Sequence, residues 1–374
     1  MRTFGIDESL MGKFLYFIPL ALLSLACGCA NTLYVVKLGW HRASVACHSV
    51  AVREVLENPS TASSEKEKIR FIQDVKRYGE ERLGLKKTRN YTTYFETKGP
   101  ILYSVVACEK DRFQLRTWSF PIVGEVTYKG FFTQEDAQAE KWSLEKEGLD
   151  ASVQQVSAYS TLGWLKDPIT SSMLRWSQPA LANVILHEMT HATIYFKNET
   201  SLNEQFATFV GNRGAIEYLS ERYGLDSKEA REATAMQEDD LFFSWWIDQA
   251  YERLSSLYAR VWSREEKLKN REKIFHSLRE DFQKVAVNFE TSCYRGLENM
   301  ELNNATLMAY RQYVHGLERF QALYEDCGRD LRKVVESLEE IRRSGRRPIN
   351  LPMTGGIEGK RGPMAWTNKP RNHS

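Results

Sequence analysis

The sequence predicts an α+β protein, a small sheet packed on a predominantly helical body. Three observations carry this reading. Between residues 91 and 160, β-branched and aromatic runs alternate with Gly and Pro punctuation, the pattern of short strands. From Pro179 to about Arg343, apolar residues recur at helical spacing almost without a break. The 374 residues are 42% hydrophobic and 27% charged, an ordinary globular composition in a chain long enough to bury a real core.

The elements follow in order. Residues 14–26 (FLYFIPLALLSLA) form the only long apolar run. That run is too short to span a bilayer, which takes roughly 20 residues, and it ends in the small residues and cysteines Ala26-Cys27-Gly28-Cys29-Ala30. It reads as the apolar core of a signal peptide over residues 1–28. Asp7 and Glu8 do not suit a basic leader, whereas Met11-Gly12-Lys13 does, so Met11 is the better start. Residues 31–58 have helical spacing and stop at Asn58-Pro59. A second helix follows Ser64, with Ile69, Ile72, Val75 and Leu83 on one face, and ends at Gly84. Residues 101–107, 125–132 and 151–159 read as strands, and Thr133 opens a helix running to Gly148 between the last two. Residues 238–279, where aromatic and charged residues interleave, read as packed helix. The tail, residues 344–374, carries six basic residues against one acidic and is rich in Gly and Pro, and it reads as disordered. No internal repeat is present, and one main region, residues 29–343, lies between signal and tail.

Composition also excludes functions. With 51 basic and 49 acidic residues the formal net charge is +2, which gives no reason to expect a nucleic-acid partner. A mean hydropathy of −0.47 excludes a polytopic membrane protein. Six cysteines are too few for a disulfide scaffold. Cys47, Cys108, Cys293 and Cys327 remain after the signal, and an oxidising compartment would allow them to pair in a connectivity the sequence does not fix.

One chemical signal stands out. His187-Glu188-Met189-Thr190-His191 matches H-E-x-x-H and lies on a helix that has Pro179 near its first turn and Leu181, Val184, Ile185 and Leu186 along it. Residues four apart share a helix face, so both imidazoles aim at one point. That suits a single Zn²⁺, which takes nitrogen ligands at ~2.0–2.1 Å. Such an ion lowers the pKa of its water toward ~7, and Glu188 is placed to take the proton. Two unliganded histidines on so apolar a helix would be costly to bury.

Three protein ligands are usual for a catalytic zinc. Ile194 and Lys197 stand where a metzincin continuation needs Gly and His. Asn203-Glu204-Gln205-Phe206-Ala207 resembles the N-E-x-x-A segment of gluzincins, which makes Glu204 the leading third ligand, with Glu199 and Glu217 as rivals. A structural alternative is equally concrete: Ser201-Leu-Asn-Glu204 also spells a capping box, in which Glu204 would only cap its own helix. Tyr159, before the metal helix, and Asn203 and Tyr313 are candidates for gripping substrate or its oxyanion, as are Tyr310 and His315.

Here a resemblance becomes specific. Gly-Cys-Ala at 28–30, Trp-Ser-Phe-Pro-Ile-Val-Gly-Glu-Val-Thr-Tyr-Lys-Gly-Phe-Phe at 118–132, Ala-Tyr-Ser-Thr-Leu-Gly-Trp-Leu-Lys-Asp-Pro at 158–168, His-Glu-Met-Thr-His, Asn-Glu-Gln-Phe-Ala-Thr at 203–208 and Leu-Asn-Asn-Ala at 302–305 occur in that order. Together they resemble the bacterial zinc aminopeptidase lipoproteins over residues 29–341. The resemblance implies a zincin-like fold and a gluzincin-type metallopeptidase, with His187, His191 and Glu204 on zinc and Glu188 as base. It implies a lipid on Cys29 and a periplasm-facing place on the outer membrane, since no Asp follows Cys29. It supports a peptidase more firmly than an exopeptidase. A periplasmic endopeptidase and a non-catalytic metal-binding scaffold are the alternatives; the scaffold has no need of Glu188.

Overall fold

The computed structural model describes residues 29–97, 99–100, 102–120, 124–156 and 166–345. The expected signal peptide, Tyr159 and all of the tail beyond Gly345 lie outside the described residues.

The chain is α+β and mostly helical, as the spacing predicts. Helix α1 (Cys29–His48) leads into a two-residue strand β1 (Val50–Ala51), α2 (Val52–Glu57) and α3 (Ser63–Glu81). Asn58-Pro59 ends α2 because a residue before proline is driven out of the helical region, and Asn58 has ψ 119°. Strands β2 (Thr93–Phe95), β3 (Leu102–Cys108), β4 (Trp118–Phe120), β5 (Gly124–Val126) and β6 (Lys129–Phe131) precede α4 (Gln134–Lys146), β7 (Asp150–Val156) and β8 (Ile169–Thr170). Thr133 caps α4 by accepting from the Asp136 N–H.

The described strands form three small sheets rather than the one expected: β1-β2-β8, β6-β3-β7 and the hairpin β4-β5. Residues 125–132 are not one strand. The chain turns at Thr127, whose hydroxyl donates to Gln312 on a distant helix, so β5 and β6 enter different sheets. Strand β3 is central and buried on both faces. Alternation sends Tyr103, Val105 and Ala107 toward Ala137 and Leu144 of α4, and Val106 and Cys108 the other way.

The rest is helical: α5 (Gln178–Thr193), α6 (Thr200–Tyr223), α7 (Lys228–Tyr258), α8 (Arg264–Val285), α9 (Asn304–Val314), α10 (Leu317–Asp326) and α11 (Leu331–Arg343). Between α8 and α9 the helical expectation fails. Residues 286–303 hold only two short 3₁₀ turns, and Asp239 accepts from the backbone N–H groups of Glu290 and Thr291, giving the chain an alternative to helical bonding. Two apolar cores result. One joins α3, α5, α6, α10 and α11 around Ile69, Ile72, Leu186 and Phe206. The other, rich in aromatics, joins α7, α8 and α9 around Phe243, Trp246 and Phe282. Residues 238–279 are therefore packed helix as expected, interrupted at 259–263.

All four cysteines Cys47, Cys108, Cys293 and Cys327 are free thiols. Burial pushes the Cys108 thiol up to about 12. No described helix is long and apolar enough to cross a membrane.

Candidate metal centre

The centre is built on one helical hairpin, α5 and α6. Ser177 caps α5 by accepting from the Ala180 N–H, and Pro179 occupies its first turn, where the missing N–H costs nothing. Leu181, Ala182, Ile185, Leu186 and Met189 bury one face of the helix in the first core. That anchoring leaves His187 and His191 on the face toward α6.

A tight connection returns the chain. Asn198 takes a positive φ of 66°, which asparagine tolerates. Its Oδ1 accepts from the Glu125 N–H at 2.9 Å and ties β5 to the hairpin. Asn203 accepts from the Phe196 N–H and donates to the Phe196 carbonyl, both at 2.8 Å. For Asn203, a candidate for gripping substrate, the amide oxygen and one amide hydrogen are spent on the backbone in a buried place, where they shape the turn.

The hairpin is also tight further along. Gly211 of α6 faces α5, where an added Cβ would come within 2.9 Å of the Asn183 carbonyl and 3.3 Å of the His187 Cβ. Glycine therefore sets how closely α6 approaches the two histidines.

Three side chains meet. The Nε2 atoms of His187 and His191 lie 3.1 Å apart, and Glu204 Oε2 is 3.3 Å from each. Among the described residues this is the one group of His, Cys, Asp or Glu whose ligand atoms converge. Glu204 is the fifth residue of α6, just past its first turn, because the helix begins at Thr200, two residues earlier than the capping-box alternative requires. Glu199 holds the cap position and makes no side-chain cap bond, Ser201 is inside the helix, and the Glu204 carboxylate turns to the histidines. The rivals are elsewhere: Glu217 accepts from Tyr324 at 2.8 Å, and Glu199 is no part of the cluster.

Electrostatics fit a charged carboxylate among imidazoles. Burial opposes the Glu204 charge, yet His191 and His187 outweigh it and hold its carboxyl far below the usual range. Burial likewise works against the His191 imidazolium, and Glu204 outweighs it, so that pKa rises. Glu188 is 8% exposed, and burial raises its pKa against the pull of His187 and His191. A buried carboxyl with a raised pKa is suited to exchanging protons.

Three tyrosines surround the cluster. The Tyr313 ring stacks 6.3 Å from that of His187 and keeps 37% of its surface exposed; the Glu204 charge and burial raise its pKa. Tyr128 and Tyr195 are raised by burial and then by Glu204. Sequence reading names only Tyr313. Tyr195 lies four residues past His191 and would have continued the histidine spacing, but the helix has stopped at Thr193. Tyr128 arrives from the break between β5 and β6, where no periodicity marks it. Tyr310 and His315 have other contacts: the Tyr310 ring packs on Phe243, and His315 lies 2.9 Å from Asp248.

The donor set suits one tetrahedral ion. Atoms held ~2.0–2.1 Å from such an ion lie about 3.3 Å from one another, which is the spacing of these three. A fourth, open position would accept a water or a substrate oxygen.

A family model described as "Putative aminopeptidase" matches residues 33–348. The chain belongs to that family. The match covers both helices of the hairpin and every described residue of the centre, so an aminopeptidase-like family and a peptide substrate accord with the site. No curated protein and no solved structure gives a significant match.

Proposed function

We propose that this member of the aminopeptidase family is a zinc-dependent metallopeptidase, held at the bacterial outer membrane by a lipid on Cys29 and facing the periplasm. The observation that carries the reading is the convergence of two imidazole nitrogens and one carboxylate oxygen, 3.1–3.3 Å apart, beside the buried Glu188. A purely structural metal site has no use for such a carboxyl.

His187, His191 and Glu204 would hold the ion, and zinc bound there would supply Lewis-acid polarisation to the scissile carbonyl and to a water. Glu188 takes the proton of the attacking water and delivers it to the departing amine. The Tyr313 hydroxyl, beside His187 and partly open to solvent, donates to the negative charge developing on the carbonyl oxygen. Cleavage from peptide N-termini follows from the family and is part of the proposal.

Glu188→Gln tests the chemistry. The amide fills the same volume but cannot take a proton, and a general base contributes roughly 10²–10⁴-fold. Peptide hydrolysis should fall by that factor while zinc content stays at the wild-type level; near-normal turnover would refute the mechanism. Attachment is tested separately. A single acyl chain binds a membrane only marginally, so firm attachment implies more than one on Cys29. Cys29→Ser should leave a folded protein that salt washing removes from membranes, and continued sedimentation after correct cleavage would contradict the anchor.

A further inference from the structure

A cavity of about 250 Å³ adjoins the candidate centre and takes no part in the chemistry above. It lies between the first turn of α6 and the facing ends of α9 and α10, and it shares both walls with the centre. Gln205 lines it and follows Glu204, while Gln312 lines it and precedes Tyr313. Consecutive Cα atoms are ~3.8 Å apart, so on each wall the cavity begins one residue from the cluster.

Its lining is basic. Arg311, His315 and Arg319 face a single acid, Glu199. The Arg311 charge is met inside the protein: its Nε donates to Asp248 Oδ1 at 3.0 Å, and His315 Nδ1 lies 2.9 Å from the same oxygen. The Arg319 charge has no such ion-pair partner among the described residues. One Nη donates to the neutral amide oxygen of Gln205, and the buried Nε has no hydrogen-bond partner. Among the described residues no carboxylate forms an ion pair with Arg319, and Glu199 pairs with neither arginine. The guanidinium packs over the Phe320 ring, 4.9 Å from its centroid. Burial lowers the Arg319 pKa, opposed by Glu318. A half-desolvated guanidinium with an idle donor is costly, and a carboxylate is the group whose two oxygens match its fork.

We infer that this cavity is a subsite for a carboxylate of the peptide substrate, bound by Arg319 with Gln205 holding the guanidinium in place. The carboxylate is either the free C-terminus of a short peptide or an acidic side chain. The inference takes its substrate from the peptidase reading, and its anion from Arg319 alone.

The test uses the full zinc-loaded protein and matched peptides: free acid against C-terminal amide, and Glu against Gln at each position. Wild type should prefer one carboxylate-bearing member about tenfold or more in kcat/KM, through KM, since hydrogen bonds to charged groups are the strong ones. Arg319→Gln should collapse that ratio to near one, and Arg319→Lys, which keeps the charge, should retain part of it. The pair showing the preference identifies the carboxylate. Equal kcat/KM across every pair in wild type, or an unchanged ratio in Arg319→Gln, overturns the subsite and leaves the peptidase reading intact. If no peptide is cleaved, the peptidase reading fails, and calorimetric binding of the same pairs decides the subsite: carboxylate-dependent affinity lost in Arg319→Gln supports it, and equal or absent binding overturns it.

Discussion

Two buried polar clusters in this protein look alike by composition and differ in completeness. The first is the knot around Asp150 and Arg271, each about 5% exposed. Asp150 accepts two bonds from the Arg271 guanidinium at 2.7 and 2.9 Å and a third from the Asn304 N–H at 3.0 Å. Arg271 also donates to the Lys110 carbonyl, and Asn304 accepts from Tyr258 and donates to the Glu109 carbonyl. Donors face acceptors throughout, and the knot ties β7, α8 and α9 together. The second is His187, His191 and Glu204, where three atoms of metal-ligating type face one another. A proton can serve one of these contacts at a time, whereas one cation serves all three. Balanced donors and acceptors mark the first as a structural device, and the convergence of ligand-type atoms in the second is what the zinc proposal rests on.

That difference can be broken from either side. The largest expected effect on folding lies at the closed knot. Arg271→Ala strands the Asp150 charge in the interior and should cost about 3–5 kcal/mol of stability. Denaturant unfolding measures it, and the folded fraction should bind zinc as wild type does, because the knot contributes no ligand. A lowered zinc stoichiometry in folded Arg271→Ala protein would join the two clusters and blur the distinction. The smallest effect is expected at Ser201. With Glu204 turned to the histidines and Ser201 inside α6, Ser201→Ala should change stability by no more than about 0.5 kcal/mol, whereas loss of a working cap costs about 0.5–2. A thermal scan separates them, and the larger loss would restore the capping box.

The two clusters also differ in how far sequence reveals them. His187, Glu188 and His191 are legible because a fixed helical spacing carries the chemistry, whereas Glu204 is singled out by the resemblance of its segment to the gluzincins, with Glu199, Glu217 and the capping box left open. The cap frame is misread by two residues: Glu199 rather than Ser201 holds the cap position, and the Asn203–Phe196 clamp shapes the turn that leads into α6. The Arg271–Asp150 knot is invisible in sequence: its members are 121 residues apart, and no local pattern pairs them. Tyr128 is hidden for the same reason, as the strand break that delivers it depends on Thr127 reaching Gln312. A helix with a strong apolar face, such as α3, is legible in the sequence, whereas the two- and three-residue strands are fixed by partners far along the chain.

The central claim is that Glu204 is a ligand rather than a cap, and zinc content measures it most directly. Wild-type protein and Glu204→Gln should be stripped with a chelator, reloaded with zinc, desalted and assayed for bound metal, with circular dichroism as the check on folding. Gln serves nearly as well as Glu in a capping box, so the substitution isolates the metal role. The expected result is one zinc per wild-type chain, and a folded, zinc-poor, inactive Glu204→Gln protein. A zinc-replete, active Glu204→Gln protein would contradict the account.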